Sequence, residues 1–301
     1  MGRPGGCRGR GVISALDMRD ADAAIDLLAR AAAALRHSPL RRGSCVRLPA
    51  RGRLLATGDL HDNPVHLGII LRLARLEHDA DHHVVLHELI HGEHLINGVD
   101  LSHRMLLRVA DLVLGRPGQV HPVLANHELS QMTGKGVSKG AGNSVDLFNA
   151  GLEYVFDSRW EDVAQAIGGF IRALPLAVRS DSGVLCAHSI PAARMLDRFD
   201  VGILDRELTD ADYATNTGSA YLMTWGRGQT PEQVTTLAKA WNVRLFLLGH
   251  EHVETGCEMR GGQVIRLNSD HEQAAVVSID LADPPTAEEV TMSAVRLRAL
   301  G

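Results

Sequence analysis

The chain's 301 residues suffice for one large domain or two ordinary ones, and 45% hydrophobic beside 22% charged residues is the balance of a globular protein. A net charge of −5 with a pI of about 6.3 leaves no electrostatic footprint for nucleic acid, and no apolar run approaches the roughly 18 residues of a membrane helix. Cys7, Cys45, Cys186 and Cys257 are too scattered for a CxxC pair or a disulfide scaffold, so a reducing cytoplasm is the expected location. The unusual feature is 16 histidines, many beside Asp, Glu or Gly, which directs attention to metal ligation.

In chain order, "MGRPGGCRGRGVIS" has basic residues without a following apolar stretch and reads as a disordered arm rather than a secretory signal. Residues 17–36 predict an Ala-rich amphipathic helix with Ile25, Leu28, Ala32 and Leu35 on one face, stopped by Pro39. Residues 1–44 therefore form an extension, and 45–301 one α/β domain with a mixed sheet. "RLLAT" (53–57), "HHVVL" (82–86) and "QVHPVLA" (119–125) are strand candidates. Between them, 63–77 starts with Asn63 as N-cap and Pro64 at the first helical position, and 102–114 reads as a helix ending at Gly115. Residues 144–173 look helical with a break near Asp157-Ser158, and "LAVRS" and "GVLCA" flank a turn at Asp181-Ser182-Gly183. A helix at 231–241 precedes the strand "RLFLL" (244–248). "CEMRGGQVIRL", "AAVVSIDL" and "EEVTMSAVRL" read as a closing β meander, with Gly261-Gly262 as a hairpin turn.

Five strand candidates end in polar clusters: Gly58-Asp59-Leu60-His61-Asp62, His87-Glu88, Asn126-His127-Glu128, His188-Ser189 and Gly249-His250-Glu251-His252. In open α/β sheets the carboxyl ends of neighbouring strands converge on one crevice. Carboxylates, an amide and several imidazoles brought there make a metal site with hard and borderline donors, large enough for two ions.

The order GDxH, an acidic residue after a second strand, NHE, a lone His, then GHxH resembles the calcineurin-like metallophosphoesterases over residues 53–282. "GDLHDN", "ANHE" and "LMTWGRG" (222–228) are most similar to the serine/threonine phosphoprotein phosphatase branch. The resemblance implies a mixed β-sheet sandwich flanked by helices, in α-β-β-α layers. It implies two divalent metal ions, with Mn, Fe and Zn all suited to the donors. Asp59, His61 and His252 would hold the first ion, Asn126, His188 and His250 the second, with Glu88 bridging. It implies hydrolysis of a phosphate ester by direct attack of a metal-bridging hydroxide, with His127 protonating the leaving group and Arg227 clamping phosphate. The partner is a phosphorylated protein, nucleotide or small molecule, and neither nucleic acid nor membrane is expected.

Departures from that pattern concentrate in one motif. Where the branch has GDxVDRG, this chain has His87-Glu88-Leu89-Ile90-His91-Gly92-Glu93, so Glu replaces the bridging Asp, His91 an Asp, and Gly92 an Arg. Ala125 replaces the Gly before the Asn. The same stretch spells HExxH, the zinc-peptidase signature when helical. Gly92 disfavours a continuing helix, and the extended form of that motif would need Gly at 94 and His at 97, where the chain has His94 and Asn97. A zinc metallopeptidase, or a metal-binding but catalytically weak scaffold, is the alternative expectation.

Overall fold

The computed structural model describes residues 17–136, 138–139 and 142–300. The expected N-terminal arm and Cys7 lie outside them. The strands are β1 (Arg41–Arg42), β2 (Cys45–Leu48), β3 (Arg53–Asp59), β4 (His82–His87), β5 (Val120–Pro122), β6 (Ser138–Lys139), β7 (Gly142–Asn143), β8 (Ala177–Ser180), β9 (Val184–Ala187), β10 (Leu245–Leu248), β11 (Cys257–Arg260), β12 (Val264–Leu267), β13 (Ala275–Asp280) and β14 (Val295–Arg296). The helices are α1 (Ala21–Arg36), α2 (Pro64–Ala74), α3 (His103–Gly115), α4 (Asn126–Thr133), α5 (Ser144–Phe156), α6 (Trp160–Ile171), α7 (Ser219–Thr224), α8 (Pro231–Trp241) and α9 (Ala287–Met292).

One sheet runs β1-β2-β8-β9-β10-β12-β11, the other β14-β13-β3-β4-β5, and β6 with β7 form a separate ribbon. Pairing is parallel for β3–β4, β4–β5, β9–β10, β10–β12 and β2–β8, and antiparallel elsewhere. The central strands are apolar on both faces, as a doubly covered sheet requires. Leu54 and Ala56, Val85, Val184 and Cys186, and Leu245 and Leu247 share one core with Ile265 and Val277, which is the space between the sheets. Their alternating neighbours Leu55, Val84, Leu86, Leu185, Phe246 and Leu248 pack in a second core with the helices. The period of two thus assigns each strand residue to the sheet–sheet or the sheet–helix layer. The result is the expected mixed sandwich flanked by helices.

Local signals account for most elements. Asn63 accepts the His66 N–H and Pro64 opens α2, which ends where Arg75 takes a left-handed conformation. The helix is therefore shorter than the 63–77 expected. The 144–173 segment is two helices with a 3₁₀ turn at 157–159, as the break suggested. Helix α1 packs on α3 and α6; Leu28, Ala32 and Leu35 are buried with Leu27 and Ala31, while Ile25 is half-buried. Strand β5 is confined to three residues on a sheet edge, the position where Pro122 costs no ladder hydrogen bond.

The closing β meander is a correction. Strands β11 and β12 do form the hairpin around Gly261-Gly262, but β13 crosses to the other sheet and pairs with β3. Residues 287–292 are helical because Thr286 and Glu289 form a capping box, the Glu289 carboxylate accepting the Thr286 N–H at 2.8 Å. The T-x-x-E signature outweighed the β-branched residues behind it.

The loop leading to α7 is pinned by Asp212. Its carboxylate accepts two guanidinium N–H bonds from Arg206 at 2.8 and 2.7 Å, and bonds from the Thr209 N–H and hydroxyl at 2.7 and 2.9 Å. Arg206 chiefly holds the Asp212 pKa down to about 2. An unfolded Asp titrates near pH ~3.9, so this contribution is complete above that value and is lost as pH falls toward 2. Asp212→Ala is expected to cost roughly 1–3 kcal/mol in thermal or urea unfolding at pH 7. The deficit against wild type should shrink on acidification through pH ~3.

Candidate metal centre

The strand ends meet where the two sheets are stitched together. Asp59 closes β3 and bridges in parallel to Asn268, just past β12 in the other sheet. Both Asp59 carboxylate oxygens accept the His250 backbone N–H, each at 3.0 Å. Glycine is demanded here twice. A Cβ on Gly58 would lie 1.9 Å from the Leu267 carbonyl oxygen, and one on Gly249 would lie 2.3 Å from Asp59 Oδ1. The two Gly residues of GD and GH are thus where backbone and carboxylate approach each other.

The loops that follow are strained. His61 (φ 41°), Glu88 (φ 42°), His91 (φ 61°) and His250 (φ 70°) all take positive φ without being glycine. Such conformations cost of order 1–3 kcal/mol each and persist where the surroundings over-determine them. Asn126 begins α4, but Ala125 is the cap residue, so the Asn126 amide is turned to other partners.

Side chains converge from both sheets. His188 Nε2 is 2.5 Å from Asn126 Oδ1 and 3.1 Å from His250 Nδ1, and His250 Nδ1 is 3.0 Å from Asn126 Oδ1. Glu88 reaches this group and the other: its Oε2 is 3.7 Å from His188 Nε2 and 3.6 Å from His61 Nε2. Donor atoms of Asp59, His61 and Glu88 lie within 4.8 Å of one another. His127 Nε2 stands 3.4 Å from Glu88 Oε1. A cavity of about 180 Å³ is lined by Asp59, His61, Glu88, Asn126, His127, Arg227, His250 and His252, together with Asn268 and Asp270. Every residue expected from the sequence therefore borders one cavity except His188, which is buried and reaches the others through its ring. Arg227 is exposed at the mouth.

Burial sets the protonation states. It raises the Asp59 pKa and pushes those of His87 and His250 down to about 3 and that of His188 well below the ordinary value. Neutral imidazole is the form that donates to a metal. Asp59 and Glu88 are 4% and 2% exposed, so each carboxylate is nearly stripped of water. Buried carboxylates, an amide oxygen and lone-pair nitrogens aimed at common points are a donor set that divalent cations fit.

The fold also uses residues that the sequence reading passed over. Glu128 is buried, and its Oε1 accepts the Leu89 and Ile90 N–H groups at 2.7 and 3.3 Å, holding the loop that carries Glu88. Burial raises its pKa to about 7. Asp100 Oδ2 is bonded to His91 Nδ1 at 3.0 Å, and the His91 ring lies 5.3 Å from that of His127. The Glu of "NHE" was visible in sequence; the Asp100 pairing carried no local signal. His87 ends a strand and His91 sits in the loop beyond it, so HELIH is not a helix and the two imidazoles are not one helical turn apart. The peptidase alternative is not favoured.

Residues 52–254 match the family model for calcineurin-like phosphoesterases. The chain belongs to that family. It is accordingly a metal-dependent hydrolase of phosphoric esters. No curated protein sequence matches it. Among solved structures it is similar to a protein serine/threonine phosphatase from Saccharomyces cerevisiae, with 15% identity, TM-score 0.63 and coverage of 87% of this chain and 83% of that one. It is also similar to a cold-active protein-tyrosine phosphatase of a psychrophilic Shewanella species, with 13% identity, TM-score 0.52 and coverage of 85% and 84%. At these identities the likeness is one of fold.

The close approach at Gly249 gives a direct check on this calcineurin-like site. Gly249→Ala should fold, because the clash falls on the Asp59 side chain, yet lose most of its bound metal. Elemental analysis beside a melting curve reads both. Full metal content in the variant would contradict the geometry.

Proposed function

We propose that two divalent ions bind at the strand ends and that the enzyme cleaves a phosphate ester there without a covalent enzyme intermediate. The supporting observation is the convergence of Asp59, Glu88, Asn126, His61, His188 and His250 on adjoining points from both sheets. Asp59, His61 and His252 would hold one ion, Asn126, His188 and His250 the other, with Glu88 between them. Bound divalent ions supply Lewis acidity toward the phosphoryl oxygens and acidify water near neutral pH. The rest is positioning and charge neutralisation by the chain. Arg227 at the mouth orients the incoming phosphoryl group. His127, within reach of Glu88, donates a proton to the departing oxygen. Glu128 fixes the Glu88 loop, and the longer reach of Glu over Asp is accommodated by that loop's positive-φ turn.

A groove of about 840 Å³ shares His61 and His252 with the centre and has room for the body of a phosphorylated protein, nucleotide or small molecule. Manganese, iron and zinc all suit the mixed donors. The cytoplasm is the proposed location, from the cysteine pattern alone.

The test is hydrolysis of p-nitrophenyl phosphate with and without added manganese, beside metal analysis. About two metals per chain are expected, with activity and metal both lost in Asp59→Asn. His127→Ala should lower turnover by roughly 10²–10⁴-fold while keeping metal content near wild type. Equal loss of metal would make His127 a ligand instead. Glu88→Asp is expected to retain or raise activity. Full metal content with no hydrolysis of any phosphate ester would favour the catalytically weak scaffold.

A further inference from the structure

His87 is the part of HELIH that the phosphoesterase reading does not use. It ends β4 in register with Asp59 on β3 and is fully buried. Neither of its ring nitrogens has a hydrogen-bond partner among the described residues. An imidazole buried in this way forfeits its water contacts and gains nothing in exchange, which disfavours it unless something ligates it. Its neighbours are donors. Ligand atoms of Asp59, His87 and His188 all lie within 4.8 Å of one another, and the His87 and His188 ring centroids are 6.1 Å apart. Gly249 packs directly against two of these donors, since a Cβ there would meet Asp59 Oδ1 at 2.3 Å and His87 Nδ1 at 3.2 Å.

His188 adds an independent argument. Its Nε2 faces Asn126 Oδ1 at 2.5 Å and His250 Nδ1 at 3.1 Å, and its Nδ1 faces Asp59 Oδ1 at 3.5 Å. A neutral imidazole carries one proton. With the proton on Nδ1, the Nε2 lone pair points at acceptors on the Asn126 side and calls for a cation there. With the proton on Nε2, donated to Asn126 Oδ1, the Nδ1 lone pair points at the Asp59 carboxylate and calls for a cation on that side, where His87 waits.

We infer that the chain has an additional, inner cation position formed by Asp59, His87 and His188 Nδ1, which competes with the Asn126–His250 position for His188. One carboxylate and two imidazoles are a set that zinc favours over manganese. The inner position therefore prefers zinc, while the outer one, left with Asn126 Oδ1, His250 and Glu88 when His188 turns inward, is the better place for manganese. The inference stands on metal binding and does not depend on the reaction proposed above.

The experiment is titration of metal-free protein with zinc against a chromophoric chelator, and with manganese by electron paramagnetic resonance. Three proteins are compared: wild type, His87→Leu, and His250→Gly, where glycine suits the left-handed backbone. The tightest zinc affinity is expected to fall at least tenfold in His87→Leu and less than threefold in His250→Gly. Manganese binding should show the opposite order. The metal-free His87→Leu protein should melt no lower than wild type, since Leu removes an unpartnered imidazole. Zinc affinity unchanged in His87→Leu, or lost equally in both variants, would overturn the inner site.

Discussion

Two carboxylates buried at a seam between sheets are the constraint around which the rest of this molecule is arranged. Asp59 and Glu88 sit at the ends of parallel neighbours β3 and β4, nearly out of reach of water. Burial chiefly drives the Asp59 pKa up, with Asp270 adding to it, while His61 and the His250 backbone N–H, which bonds both oxygens, counter it. No fully buried Lys or Arg accompanies them among the described residues, and Arg227 stands exposed at the cavity mouth. Such a pair is costly in an apolar sandwich unless a cation shares it. Everything nearby either supplies another donor or holds one still.

The backbone shows how that is achieved. The Asp59–Asn268 bridge and the His250–Asp59 bonds join the sheets at the point where their strands end. The positive-φ residues His61, Glu88 and His250 turn the chain sharply enough for side chains from successive loops to face inward together. Glu128 holds the Glu88 loop from 39 positions away, and Asp100 anchors His91 from across its own loop. A glycine would adopt these turns without strain, but it would bring no ligand. The fold accepts local strain in order to place a functional side chain at each turn.

Much of this was legible in the sequence because the signals are local. Asn63-Pro64 opens a helix, Ser182-Gly183 turns a strand pair, and polar clusters follow apolar runs at each strand end. Those clusters carried the candidate site, since parallel strands deliver their ends to a common edge. What the sequence concealed was of two kinds. The C-terminal segment has β-branched residues, yet the Thr286–Glu289 cap makes part of it a helix, and β13 changes sheets, which no local pattern encodes. The supporting residues Glu128 and Asp100, and the inward-facing His87, act only through contacts made across the fold. The HELIH letters alone suit a helix, but Gly92 argues against one, and the parallel pairing with Asp59 of β3 makes its first residue the end of a strand.

The account is tested most directly by anomalous diffraction at the manganese edge from crystals grown with manganese. It predicts two peaks about 3.5–4 Å apart, flanking the Glu88 carboxylate, one beside Asp59 and His61 and the other beside Asn126 and His250. A single peak coordinated by His87 and His91, or no peak in this cavity, would contradict it.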